Sequence, residues 1–291
     1  MTAHEILERR LTPRLRRALL EAFDQARDRI PARAVERIIR EGLLAPDRIA
    51  TLLRNLPDVE RVAREGLRMA ARRGAAVALE TLPVRSVRGL LVEPRFDLVN
   101  PAAIRLADQA TALLVTRITL EQQLALQQIV RAGIEHGWTI PEQARLIRQV
   151  VGLNDRQARA LGAFRDRLIA GRVPDGRIGT LVDRYAAKLL RQRALMIART
   201  ENVFALSAGQ DEAWKQAQAR GLLRAGAASR WVTATDERVC PVCGPMHGQV
   251  RPLGQPFTDP RGRQVFHPPL HPMCRCTRVI DARNLSMRRS S

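Results

Sequence analysis

Cys240-Pro-Val-Cys243 is followed 31 residues later by Cys274-Arg-Cys276, with His267 and His271 just ahead of the second pair. Thiolate and imidazole are the donors that structural zinc takes, four in a tetrahedron, and two tight turns that each present a ligand pair build a zinc ribbon or knuckle. Cys240 and Cys243 have the usual two-residue spacer. The one-residue spacer of Cys274 and Cys276 is less common, so His271 with either of them forms a rival set. The surrounding segment is poor in aromatics, and one bound metal would supply folding energy that its core cannot. The competing reading is a disulfide framework. A chain with no signal segment belongs to a reducing compartment, where stable disulfides are rare.

Catalysis finds less footing in the same residues. A catalytic zinc keeps one coordination position open beside an acid or base. The nucleobase deaminase pattern needs a His-x-Glu element ahead of Pro-Cys-x-x-Cys. Here Val239 precedes Cys240 and no His-x-Glu occurs. An HNH-type nuclease could draw on His247 and Asn284, but their spacing does not support it. No phosphate-binding glycine loop, Ser-His-Asp set or paired-carboxylate constellation is present. The alternative to a non-enzymatic protein is therefore a zinc-dependent nucleic-acid enzyme, a nuclease.

The elements that must position these residues read as mainly helical. Residues 1–95 form an N-terminal helical region. One helix is expected after Thr12-Pro13, with Leu15, Leu19, Ala22, Phe23 and Ala26 on its apolar stripe, ended by Pro31. Others are expected at Ala32 to Glu41 with Gly42 as stop, near Pro46 to Leu56, and from Asp58, as cap, to Leu82. Pro83 to Val99 reads as a linker or extended excursion.

Residues 96–225 form a central helical domain. Asn100-Pro101 opens a long helix to Gly137, with Ile104, Ala107, Leu113, Leu114, Ile118, Leu124 and Ile129 in helical period. Thr139 to Glu142 is a capping box opening a helix that Gly152 stops, and Asn154 or Asp155 caps another that ends near Gly171. Pro174-Asp175-Gly176 reads as a turn. Thr180 to Leu223 is helical throughout, as two helices meeting near Ser207 to Gly209. Residues 226–291 form a small cysteine-rich, zinc-binding β module with a polar tail, its strands expected at Arg230 to Thr235, Gln249 to Arg251, Val265-Phe266 and Thr277 to Ile280.

The 291 residues carry 49 Lys+Arg against 29 Asp+Glu, a net +20. All the cations except Lys188 and Lys215 are arginine. The excess is spread as +7, +7 and +6 over the three segments, so no single block makes a nucleic-acid face. With 3% aromatics the chain lacks the stacking residues of a single-strand binder. No uninterrupted apolar run long enough to span a membrane and no secretory signal is read. What the charge implies is tolerance of polyanionic surroundings.

Ala198-Arg199-Thr200-Glu201, Trp231 to Asp236, Cys240-Pro-Val-Cys243, Gly248 and Pro268 to Cys276 together resemble the phage Mu F-like head morphogenesis family, the minor capsid proteins of tailed phages. The resemblance covers roughly residues 100–280, and its specific part is the cysteine-rich end. It implies a virion protein present in few copies inside the capsid or at the portal vertex, after assembly in the host cytoplasm. Its implied partners are the portal protein, the major capsid or scaffold interior, and packaged double-stranded DNA bound non-specifically through phosphates. Arg199 and Glu201 are implied to form a buried or interface ion pair that positions the zinc module. Trp231 and Asp236 are implied to brace the first cysteine turn. Some members add a toxin or ADP-ribosyltransferase domain, and none is expected beyond Cys276.

Overall fold

The computed structural model describes residues 2–40, 57–82, 85–87, 90–92, 101–234, 236 and 239–281. Its helices are α1 (Ala3–Asp28), α2 (Ala32–Arg40), α3 (Pro57–Glu80), α4 (Pro101–Glu135), α5 (Ile140–Gln149), α6 (Asp155–Ala170) and α7 (Asp175–Ala219). Strands β1 (Arg85–Val87) and β2 (Leu90–Val92) pair as an antiparallel hairpin inside the expected linker. Five short strands follow α7, namely β3 (Ala228–Val232), β4 (Val250–Pro252), β5 (Phe257–Thr258), β6 (Gln264–Val265) and β7 (Thr277–Ile280). The mainly helical reading with a small C-terminal β region is borne out. The expected helix at Pro46 to Leu56, the Gly42 stop, the Asn100 cap, Asn284 and the polar tail lie outside the described residues.

The chain divides into two compact units, one of Met1–Pro13, Arg64–Ala110 and Met196–Ser291, the other of Arg14–Ala63 and Thr111–Leu195. In the second, local capping chemistry sets the helix starts. Thr139 and Glu142 make the reciprocal capping box of α5, and Asn154 Oδ1 accepts from Gln157 N at 2.9 Å at the start of α6. Trp138, 6% exposed, closes the α4–α5 corner. Its Nε1 donates to Asp166 at 3.2 Å, and the Arg165 guanidinium stacks over its ring at 4.7 Å while pairing with Glu142. Asp58 sits in the first turn of α3, with Pro57 ahead of it as the first helical residue, and pairs with Arg29 at 2.7 Å.

Three helix boundaries differ from expectation. α1 starts at Ala3 and carries Pro13 inside it. Thr2 and Glu5 form an unread capping box, Glu5 N donating to Thr2 Oγ1 at 3.2 Å and Thr2 N to Glu5 Oε2 at 2.8 Å. Pro13 then costs one backbone bond, to the Arg9 carbonyl, while Leu11, Leu15 and Leu19 stay buried on either side of it. Asp175 and Gly176 are not a turn but the first residues of α7, with Pro174 just before them.

The third difference is the largest. α7 runs unbroken for 45 residues through Ser207, Ala208 and Gly209. These small residues mark a close crossing of two helices. A Cβ added to Gly209 would lie 2.0 Å from the Ala71 carbonyl oxygen of α3, and one added to Gly74 of α3 would lie 2.0 Å from the Leu206 carbonyl oxygen. Neither backbone can move without dragging its helix. Gly209→Ala is therefore expected to destabilise by about 1–3 kcal/mol through overpacking. Gly176→Ala meets nothing within 4 Å and should be neutral or stabilising. Denaturant midpoints of the two variants check the contrast, and equal midpoints would remove the close crossing.

Beyond the crossing, Ala75, Ala78 and Leu79 of α3 pack with Ala213, Trp214 and Ala217 of α7 and with Leu222, Leu223 and Ala227 that follow it. β3 is the centre of an antiparallel sheet in the order β4-β3-β7, with Trp231 opposite Arg278 and Val232 opposite Thr277. β5 and β6 make a separate small hairpin. β7 has the bounds read from sequence, and β5 was not anticipated.

Candidate metal centre

The first cysteine arm is a tight turn. Cys243 N and Gly244 N both donate to the Cys240 carbonyl at 3.0 Å, and a 3-10 turn, Gly244–Met246, continues it. This geometry points the Cys243 N–H also at the Cys240 sulfur, 3.3 Å away. Burial would raise the Cys240 pKa, but the Cys243 backbone donor, with the nearby His271, holds it below the ordinary thiol range. The second arm turns at His271, whose carbonyl accepts from Cys274 N at 3.2 Å.

The arms meet through their donor atoms. His271 Nε2 lies 3.1 Å from Cys240 Sγ and 3.1 Å from Cys243 Sγ, and the sulfurs of Cys243 and Cys274 are 3.8 Å apart. Two triads result, Cys240/Cys243/His271 and Cys243/Cys274/Cys276, each with its donor atoms within 4.8 Å of one another. Cys243 belongs to both. All four cysteines are free thiols, so no disulfide framework is formed. His271 Nδ1 is 2.8 Å from the Pro272 carbonyl. Only a protonated Nδ1 can bond there, which leaves Nε2 as a lone-pair donor toward the sulfurs.

The donor set fits a soft or borderline divalent ion. Tetrahedral Zn–S bonds of about 2.3 Å imply sulfur pairs about 3.8 Å apart, the separation of Cys243 and Cys274. The thiols cannot all ionise unaided. The hydrogen bond from Cys276 brings Cys274 down to about 5, while burial and the charge on Cys274 push Cys243 up to about 12. Cys276, donating to Cys274 and buried, is raised further. A cation at the centre removes that mutual repulsion.

Around the donors, Trp231, Met246, Phe257 and Leu270 are buried against Cys243, Cys274 and Cys276. The Trp231 ring is fully enclosed and meets Phe257 edge-on at 5.2 Å. Asp236 reaches the second arm, clamping Arg275 through Oδ2 at 2.5 Å and Oδ1 at 2.6 Å. Arg199 has its Nε 3.4 Å from Glu8 of α1, and Glu201 is buried. Between them Thr200 makes the direct link that sequence reasoning missed, its Oγ1 accepting from Met273 N at 3.1 Å. A cavity of about 410 Å³ separates α1 from the second arm, lined by His4, Glu5, Glu8, Arg199 and Arg275 among others. His4 carried no signal in the sequence. It is buried 3.4 Å from Ser207 Oγ, and burial lowers its pKa to about 4.

Two histidines fall outside the cluster. His267 packs edge-on against Phe204 at 5.0 Å, and burial depresses its pKa. His247 accepts from Thr233 N at 3.2 Å through Nδ1, so that nitrogen is committed to the backbone.

A second connection ties the module to α7. Arg278 of β7, 2% exposed, donates to Asp211 at 2.6 Å beneath Trp214, and Gln210 Nε2 donates to the Arg278 carbonyl at 3.1 Å. Lys215 adds a contact of 2.7 Å to the same carboxylate. Burial alone would raise the Asp211 pKa, but the two cations outweigh it and hold the group below the ordinary carboxylate value.

The family model described as Phage Mu protein F like protein matches residues 125–279, more than half of the chain and the whole of the cysteine cluster. No curated protein and no solved structure matches it. Thr200 and the paired cysteine arms lie inside the matched span, and on that match the chain belongs to the Phage Mu protein F like family.

Proposed function

We propose that this phage head morphogenesis protein is a minor component of the virion, held inside the head at the portal vertex, and acting in assembly and in DNA packaging or ejection. The observation that carries the reading is the family match, which runs from the middle of α4 through the last cysteine arm. In this role the cysteine module is a structural brace. Cys240, Cys243, His271 and Cys274 would hold one zinc ion, with Cys276 supporting Cys274 as a hydrogen-bond donor. When bound, the ion cross-links the two arms and gives the small module rigidity.

A net charge of +20 supports contact with packaged DNA through phosphates, without a sequence-reading surface. Among the described residues no helix is long and apolar enough to cross a membrane. The portal protein and the capsid interior are the partners this role requires. Phage in which the gene is silenced should give heads that yield few infectious particles, and wild-type heads should contain the protein at low stoichiometry, co-purifying with the portal. Its absence from purified heads would overturn the reading. Plasmid incubated with purified protein and divalent cations should stay intact, and cleavage lost in Cys243→Ser would favour a nuclease instead.

A further inference from the structure

α4 is apolar on two opposite faces. Leu114, Ile118, Ala125, Leu126 and Ile129 are buried on one, while Leu113, Leu120, Leu124 and Ile134 stand 70%, 55%, 48% and 61% exposed. These four are half of the eight large hydrophobics that are exposed among the described residues. At about 100° per residue they fall within a band roughly 80° wide and about 32 Å long. Steps of 7, 4 and 10 residues keep that band straight, the spacing of a helix–helix seam. The periodicity read from sequence merged the two faces, since it counted Leu113 and Leu124 with Leu114, Ile118 and Ile129.

Two arginines decide what covers the outer face. Arg131 lies within the band and Arg117 beside it, and both are exposed. Two copies packed parallel about a two-fold axis would set Arg117 against Arg117 and Arg131 against Arg131. An antiparallel pair centred on the band would bring Arg117 beside Arg131 of the other copy. Either arrangement buries like charges in a protein already at +20. A bilayer surface suits the band no better, because it is narrow, holds Gln127 and Arg131 in its middle, and has no Trp or Phe.

We propose that the exposed face of α4 docks an acidic amphipathic helix of another protein, with leucine-sized residues on the seam and carboxylates facing Arg117 and Arg131. This rests on the proposed role only in expecting a protein partner, and it gives that partner a surface and a chemistry.

The test uses the full chain and a synthetic helical peptide with leucine at its seam positions and glutamate on both flanks. A scrambled peptide of equal charge and a lysine-flanked peptide with the same seam serve as comparators. The acidic seam peptide should bind saturably at physiological salt, and roughly tenfold more weakly to Leu120→Ser/Leu124→Ser, a loss expected for two seam anchors. Arg117→Glu/Arg131→Glu should reverse the preference toward the lysine peptide. Equal binding of the scrambled peptide, or no effect of either double variant, would overturn the proposal. So would a wild-type dimer in sedimentation that the serine variant dissolves, or serine-sensitive co-sedimentation with anionic vesicles. Incorporation into heads is read separately, so failure here leaves the head assignment standing.

Discussion

Cys243→Ser should abolish metal binding and unfold the C-terminal module, the largest single-residue effect expected in this protein. Cys243 is the donor common to both triads, is 4% exposed, and supplies the backbone N–H that bonds the Cys240 sulfur. Loss of a structural zinc site removes on the order of 10 kcal/mol of apparent folding free energy at neutral pH. A small module with a handful of large apolar residues has no reserve to offset that. Cys276→Ser is the informative partner. If Cys276 only donates a hydrogen bond to Cys274, the serine variant keeps its zinc with weakened affinity, whereas Cys274→Ser loses it. Metal titration followed by circular dichroism and by protease cleavage after α7 distinguishes these outcomes. Equal retention of metal by both variants would remove Cys274 from the ligand set.

The second large effect lies at the buried pair of Arg278 and Asp211. Arg278→Ala or Asp211→Ala strands one charge in a site that excludes water, at a cost of about 3–5 kcal/mol. Arg278→Met with Asp211→Leu should recover much of the loss, because a matched apolar pair leaves no orphan charge. The pH dependence has a definite sign. The Asp211 pKa is lower folded than its ordinary value of 3.8, so its contribution is fully present above that value and disappears as pH falls through the folded pKa. Asp211→Asn should flatten the stability profile in that acid range and leave its slope near neutrality unchanged. Urea midpoints measured across pH check both statements.

Much of the fold was legible because its signals are local. The capping boxes at Thr139 and Asn154 need only residues three positions apart. β7 follows from a β-branched run, and the cysteine arms declare themselves by spacing. What failed was long-range. Ser207 to Gly209 looks like a helix break when only neighbours in sequence are considered, and becomes a crossing point once Ala71 is 2.0 Å from where a Cβ would stand. Pro13 looked like a helix start because its cost is local, while the burial of Leu11 and Leu15 that offsets it is tertiary.

The candidate site divides along the same line. Donor identity was readable, and the structure brings Cys240, Cys243, His271, Cys274 and Cys276 into one place. The exclusion of His267 was not readable, since it depends on Phe204 lying 63 residues earlier. Nor were the anchors. Asp211 and Arg278 are 67 residues apart with no motif linking them, and Thr200 meets Met273 across 73 residues. In the Ala198-Arg199-Thr200-Glu201 string, charge drew attention to Arg199 and Glu201. The hydroxyl between them makes the contact because helical phase turns it toward the second arm.

The central claim is that one metal ion holds the two cysteine arms together. Elemental analysis of the full chain, purified without chelators and passed through gel filtration, tests it most directly. About one zinc per chain is expected, with the cysteines unreactive toward thiol reagents until a chelator is added. A chain free of metal, with four reactive thiols and an unchanged fold, would contradict it.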